Sequence, residues 1–267
     1  MTTRAAIAGA ILALFLGVPE SHLLRAIPVD PSKSFISEVP AVVPSFPFQV
    51  GETLDYRLTW SMFSNAATVR MQVVEQRDFF GTPTWHFRAS VHSQIPLRSF
   101  AIVDDQFDSY AEMATLDSKQ YETYLDELGE KQTAITRLVA PGEPRPTRST
   151  MHSTILLVKA HTRDPLAALY ALRAFDWRHA SELRGPVWDG EDLYEMRANL
   201  EAADEAIQVA GREERATRIL VRLFRGGADS RTRCSIWFSQ DAARVPLVMD
   251  AQVPYGRVRA ELLSKHE

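Results

Sequence analysis

The sequence predicts a mainly β protein, built as a curved antiparallel sheet or partial β-barrel with one inserted helix. Three observations carry this. Apolar residues recur with period two along most of the chain after Phe48. Turn residues punctuate those runs at short intervals. Only one segment, the one following Asp164, carries convincing helical spacing. Strict alternation puts successive side chains on opposite faces, which gives one apolar and one wet face per strand.

The N-terminus reads differently. Residues 1–26 have the pattern of a signal peptide or N-terminal anchor: Arg4 supplies a positive start, and Ala5 to Val18 form an apolar stretch closed by Pro19. That stretch is shorter than the ~20 residues a bilayer span needs. Leu24-Arg25-Ala26 is a poor small-x-small cleavage site, so an uncleaved anchor stays open beside a cleaved signal. No cysteine follows the apolar stretch to take a lipid. Residues 27–47 carry Pro28, Pro31, Pro40, Pro44 and Pro47, which favours an extended linker. A single β-rich domain is expected over residues 48–263.

The first strands are the clearest. Leu54, Tyr56, Leu58 and Trp60 alternate with polar residues, as do Ala67, Val69, Met71 and Val73. After a turn at Gly81-Thr82-Pro83 come Trp85, Phe87, Ala89 and Val91. Pro96 to Val103 reads as a short helix or a bend. Gln106 to Met113, Lys119 to Leu125 and Thr133 to Val139 read as strands, with turns at Asp117-Ser118 and Gly129-Glu130. The proline-rich run 141–146 is a loop. Asp164 is a good N-cap and Pro165 suits the first helical position; Leu166, Leu169, Tyr170 and Arg173 follow, with an end expected near Asp176. Strands return around Tyr194–Ala198, Glu205–Ala210, Thr217–Phe224, Thr232–Phe238, Val245–Val253 and Val258–Leu262. About ten strands result.

Composition narrows the function. Of 267 residues 45% are hydrophobic, ample for a core without cross-links. A net charge of −4 argues against a nucleic-acid partner. Cys234 is alone, so no internal disulfide can form, and its strand setting reads as a small buried side chain. The seven histidines form no metal motif. His86 and His92 share a strand face but lie roughly 20 Å apart, and both read as surface positions. No Gly-x-Ser-x-Gly elbow marks a nucleophile. No metal, cofactor or catalytic residue is assigned.

Three segments carry a resemblance. Gly51-Glu52-Thr53-Leu54-Asp55-Tyr56 opens the first strand. Asp164-Pro165-Leu166 is followed by Tyr170 and Arg173. Ile236-Trp237-Phe238-Ser239-Gln240-Asp241 precedes Arg244, Pro246 and Gly256. In order and spacing these resemble the domain of unknown function 3108 family across residues 48–263. The resemblance implies a bacterial, exported protein with no assigned activity, and more loosely the curved open sheet of periplasmic lipoprotein carriers.

Two groups remain as candidate sites. Tyr56, Trp60, Met71, Trp85 and Phe87 fall on inward faces of neighbouring strands, where they either fill a core or line an apolar groove. One helix of about a dozen residues has too little surface to cover so large a sheet, which favours the groove and a lipid or glycolipid ligand. Asp104, Asp105 and Asp108 form an acidic cluster, and Asp126-Glu127 a second. Adjacent residues on a strand point to opposite faces, so a solvated loop or cap is the plainer reading. The expectation is a non-catalytic protein of the periplasm or cell envelope that binds an apolar ligand or a partner segment. The alternatives are an assembly factor that docks an envelope protein, or a hydrolase of an envelope polymer using the three aspartates. Membrane attachment is expected only through an uncleaved N-terminal segment.

Overall fold

The computed structural model describes residues 46–61, 63–143, 153–253 and 256–267. The signal segment, most of the proline-rich linker and Pro144 to Pro146 lie outside them. Thirteen strands occur among the described residues: β1 (Thr53–Trp60), β2 (Phe63–Phe79), β3 (Thr82–Ser93), β4 (Asp104–Glu112), β5 (Ser118–Glu127), β6 (Glu130–Val139) and β7 (Ser153–Leu157), then, after helix α1 (Pro165–Ala174), β8 (Glu182–Trp188), β9 (Leu193–Val209), β10 (Arg212–Arg225), β11 (Ala228–Ser239), β12 (Pro246–Val253) and β13 (Gly256–His266). All belong to one sheet, in the order β7-β6-β5-β4-β3-β2-β1-β13-β12-β11-β10-β9-β8. The mainly β class with one helix is therefore correct.

The alternating pattern sets the faces. Leu54, Tyr56 and Leu58 of β1 are buried, as are Val69, Met71 and Val73 of β2 and Phe87, Ala89 and Val91 of β3. Between them, Arg70 on the outer face pairs with Asp55 across β1 and β2 at 2.7 Å. The pairs are antiparallel except β6 with β7, which run parallel.

The expected strands differ from the observed ones for identifiable reasons: two were missed and one was split in two. β7 is short and lies at one end of the sheet, and β8 contains Gly185 and Pro186 at the other. Edge strands tolerate proline and need no alternation. Tyr194–Ala198 and all of Glu205–Ala210 except Ala210 belong to one 17-residue strand, β9. Its pairing with β10 is bulged near Ala216 and Arg218. The far half of this hairpin crosses the outside of the sheet, where Val209 and Ala216 cover Trp237, Leu247 and Val248. The region 96–103 contains one 3₁₀ turn, Leu97–Ser99.

The sheet curls around α1. The helix touches β3, β4 and β8, strands near opposite parts of the sheet order. The ring of Tyr121 on β5 meets that of Trp188 on β8 edge-on, with centroids 6.2 Å apart. The segment leading into α1 stitches the two arms together: Thr162 O accepts from Ser118 N of β5. Beside it Arg163 N donates to Pro186 O, and Arg163 O accepts from Trp188 N of β8. A partial barrel with a helix inside results.

Candidate functional site

α1 is buried at all ten positions. A helix that is apolar all round belongs inside a core, and Ala167, Ala168, Ala171 and Ala174 let it approach the strands closely. Its start is fixed by Asp164, whose carboxylate accepts from Leu166 N and Ala167 N at 2.9 and 3.0 Å. The same carboxylate accepts from the hydroxyls of Ser109 and Ser118, both at 2.6 Å. Burial pushes the Asp164 carboxyl above its ordinary pKa, against these bonds. Near the other end, Arg173 bonds both carboxylate oxygens of Glu52 at 2.5 and 2.8 Å. It also donates to Pro47 O and Ala243 O. Arg173 and Glu52 expose only 1% and 2% of their side chains.

Four of the five aromatic-face candidates share one buried core with this helix. Phe87 stacks on Tyr170 of α1, centroids 3.8 Å apart and 8° from parallel. Phe48, preceding β1, sets its ring edge-on against Trp85, Phe87 and Tyr170. Phe46 adds a further edge-on contact to Trp85. Tyr56 donates its hydroxyl to Pro246 O at 2.8 Å. Tyr56, Met71, Trp85 and Phe87 are all buried. The structure brings these residues together as packing for α1 and the Phe46–Phe48 segment. The expectation that one helix has too little surface to cover the sheet is corrected here, because the sheet wraps around the helix.

The fifth candidate, Trp60, is elsewhere. β1 runs from the Glu52 end, held by α1, to Trp60 eight residues on, which spans roughly 26 Å of extended chain. Trp60 is half-buried, pairs in register with Phe63 and Val258, and its Nε1 is a buried donor with no acceptor among the described residues. Beside this end runs the loop joining β3 to β4. Gln94 N donates to Ala66 O near the start of β2, and Ile102 O accepts from Leu128 N at the β5–β6 turn. Ile95, Phe100 and Ile102 on this loop are exposed by 75%, 76% and 45%.

The three aspartates do not form one site. Asp104 and Asp108 lie on the outer face and Asp105 on the inner one, as alternation requires. Arg98 grips Asp104 through two 2.8 Å bonds, and His92 adds a third at 3.0 Å. The Arg98 guanidinium holds this carboxyl low, at about 2. For Asp108, burial works toward protonation, but bonds from His86 at 2.5 Å, Arg88 at 2.8 Å and Gln106 at 2.6 Å outweigh it and keep the pKa below the usual range.

Asp105 meets the second acidic pair instead. Its Oδ1 accepts from Asp126 N at 3.0 Å, and its carboxyl bonds that of Glu127. Burial raises Asp105 to about 6. Only 1% of this residue is exposed, so a polymer substrate has no surface route to it.

Sequence reading missed His86. It is buried on the outer face, stacked on Tyr110 with centroids 4.5 Å apart, and its Nδ1 lies 3.7 Å from Glu75. This corrects its reading as a surface residue; His92 is exposed as expected. Only cross-strand register, which pairs His86 with Glu75 and Tyr110, reveals this arrangement. Cys234 is buried as expected, and burial pushes its thiol up to about 12.

Fold and site together define a β protein of one sheet curled around a buried helix, with no catalytic constellation among the candidate residues. Residues 55–263 match the family model described as protein of unknown function (DUF3108), and the chain belongs to that family. No curated protein matches the sequence. Among solved structures, the chain is similar to a β-barrel-like protein of domain of unknown function DUF1849 from Brucella abortus, with 10% identity and a TM-score of 0.45 over 81% of this chain and 97% of that one. It is also similar to a candidate lipoprotein from Parabacteroides distasonis, with 10% identity and a TM-score of 0.38 over 83% and 97%. A candidate exported protein with a YmcC-like fold from Bacteroides fragilis gives 8% identity and a TM-score of 0.31 over 83% and 98%.

Proposed function

We propose that this protein is an exported, non-catalytic component of the bacterial cell envelope that holds a lipid or glycolipid at the helix-free end of its partial barrel. One observation carries the reading. The aromatic face is divided: its larger part is occupied by α1 and Phe48, whereas Trp60 and Phe63 stay half-buried beside an exposed apolar loop. A contiguous apolar patch left exposed on a folded chain is often a binding site. Support for export comes from Arg4 and the apolar run Ala5 to Val18.

The test is organic extraction of the full-length protein purified from envelopes, followed by mass spectrometry. A stoichiometric lipid is expected in the wild type and is lost in Trp60→Ala. Protein that carries no lipid, or a Trp60→Ala variant that retains it, overturns the proposal.

A further inference from the structure

We propose that the β3–β4 loop, residues 94–103, is a membrane-contacting tip that places Ile95, Phe100 and Ile102 in the acyl layer of an electrically neutral phospholipid surface. This rests on the same assignment of lipid to the helix-free end and names the surface that end meets.

The loop is held rigidly while its apolar side chains point outward. Leu97 and Ala101 are buried beneath it, and its 3₁₀ turn is closed by Phe100 N and Ala101 N donating to Leu97 O. Ser93 Oγ accepts from Val103 N, and Arg98 is tied to Asp104 by two bonds. Ile95 and Phe100 therefore cannot relieve their exposure by folding inward. The other large exposed apolar residues among those described, Val50, Phe80, Leu157 and Leu263, are scattered over separate elements. Phe80, moreover, carries the Arg137 guanidinium over its ring at 3.7 Å.

Area and charge choose the partner. Three side chains of this size present roughly a few hundred Å², well short of the ~800 Å² each partner contributes to a stable protein complex. Shallow insertion into lipid has no such minimum and uses protruding apolar side chains at the headgroup boundary. The local cations are already paired: Arg98 with Asp104 at 2.8 Å, and Lys131 with Asp126 at 3.2 Å. Among the described residues the tip therefore offers no free positive patch to an anionic headgroup, and it fits a zwitterionic surface.

The experiment puts a tryptophan at the tip of the full chain, Phe100→Trp, and adds vesicles of brominated phosphatidylcholine. Phe80→Trp is the control, because Phe80 is exposed at the far β2–β3 turn and an N-terminal anchor would hold both variants on the same vesicle. Expected is a loss of emission in Phe100→Trp beyond that of wild type, insensitive to salt and absent from Phe80→Trp. Adding Ile95→Ser and Ile102→Ser should return the loss to the wild-type level while near-ultraviolet circular dichroism stays unchanged. Equal quenching at both positions, no quenching, or quenching that needs anionic lipid and vanishes in salt overturns the proposal. The lipid-extraction result is independent: quenching at the tip of a protein that carries no extractable lipid sinks the ligand and keeps the membrane contact.

Discussion

Two regions of the same strands meet opposite fates. Tyr56, Met71, Trp85 and Phe87 belong to β1, β2 and β3 and are sealed under α1 and Phe48. The β3–β4 loop begins directly after β3, seven residues beyond Phe87, and leaves Ile95 and Phe100 three-quarters exposed. Hydrophobicity alone does not separate the two. What separates them is that the described residues supply a partner for the first region and none for the second. An inserted helix thus does for one end of the barrel what an apolar ligand would do for the other.

The sharpest way to break this division is to release the helix. Arg173 and Glu52 join α1 to the entry of β1, with Lys265 3.8 Å from the same carboxylate. Arg173→Met leaves the Glu52 carboxylate buried and largely uncompensated, which costs about 3–5 kcal/mol. Urea unfolding should show that loss, and the double variant with Glu52→Gln should recover part of it. If Arg173→Met unfolds like the wild type, α1 is not the internal partner described here.

A smaller effect is expected from Phe87→Ala, which removes the ring stacked on Tyr170 and opens a void between β3 and the helix. Deleting a buried phenylalanine side chain costs about 3–5 kcal/mol, with the low end expected here because Phe48 borders the void. Phe100→Ser at the exposed loop should change stability by less than about 0.5 kcal/mol. Comparable losses at the two positions would erase the distinction between a filled and an open region.

Much of this architecture is legible from sequence, and the parts that are not share a cause. Period two marks the inner faces of β1, β2 and β3, because one face is buried along their length. Asp164 and Pro165 announce the start of α1 through local capping chemistry that needs no tertiary context. β7 and β8 escape notice because edge strands with Gly185 and Pro186 need no alternation. The interior position of α1 is hinted at by its apolar sequence, in which Arg173 is the one charged residue. Its partner Glu52, however, lies 121 residues earlier and no local pattern connects them. The candidate site suffers from the same blindness. Asp104, Asp105 and Asp108 are neighbours in sequence, yet register sends each to different partners: Arg98, Asp126 with Glu127, and His86.

A pH-dependent effect tests the helix-free end. Asp105 lies on the inner face just beyond the exposed loop, and burial raises it to about 6, whereas an unfolded aspartate titrates near ~3.9. In that window the native state keeps a proton that the unfolded chain has released. The stability it contributes is complete below pH ~4 and is lost as pH rises through about 6, the direction set by more protons bound in the folded state. Asp105→Asn keeps an oxygen to accept from Asp126 N and gains an amide that donates to Glu127, without a charge to bury. It should therefore raise stability at pH 8 by about 3 kcal/mol and leave it nearly unchanged at pH 4. Asp189, also raised to about 6 by burial, stays in place and supplies the remaining slope. Urea midpoints taken across this range decide between them: a slope that survives Asp105→Asn undiminished assigns the titration to Asp189, whose carboxylate caps the Glu191 and Asp192 amides at the β8–β9 turn.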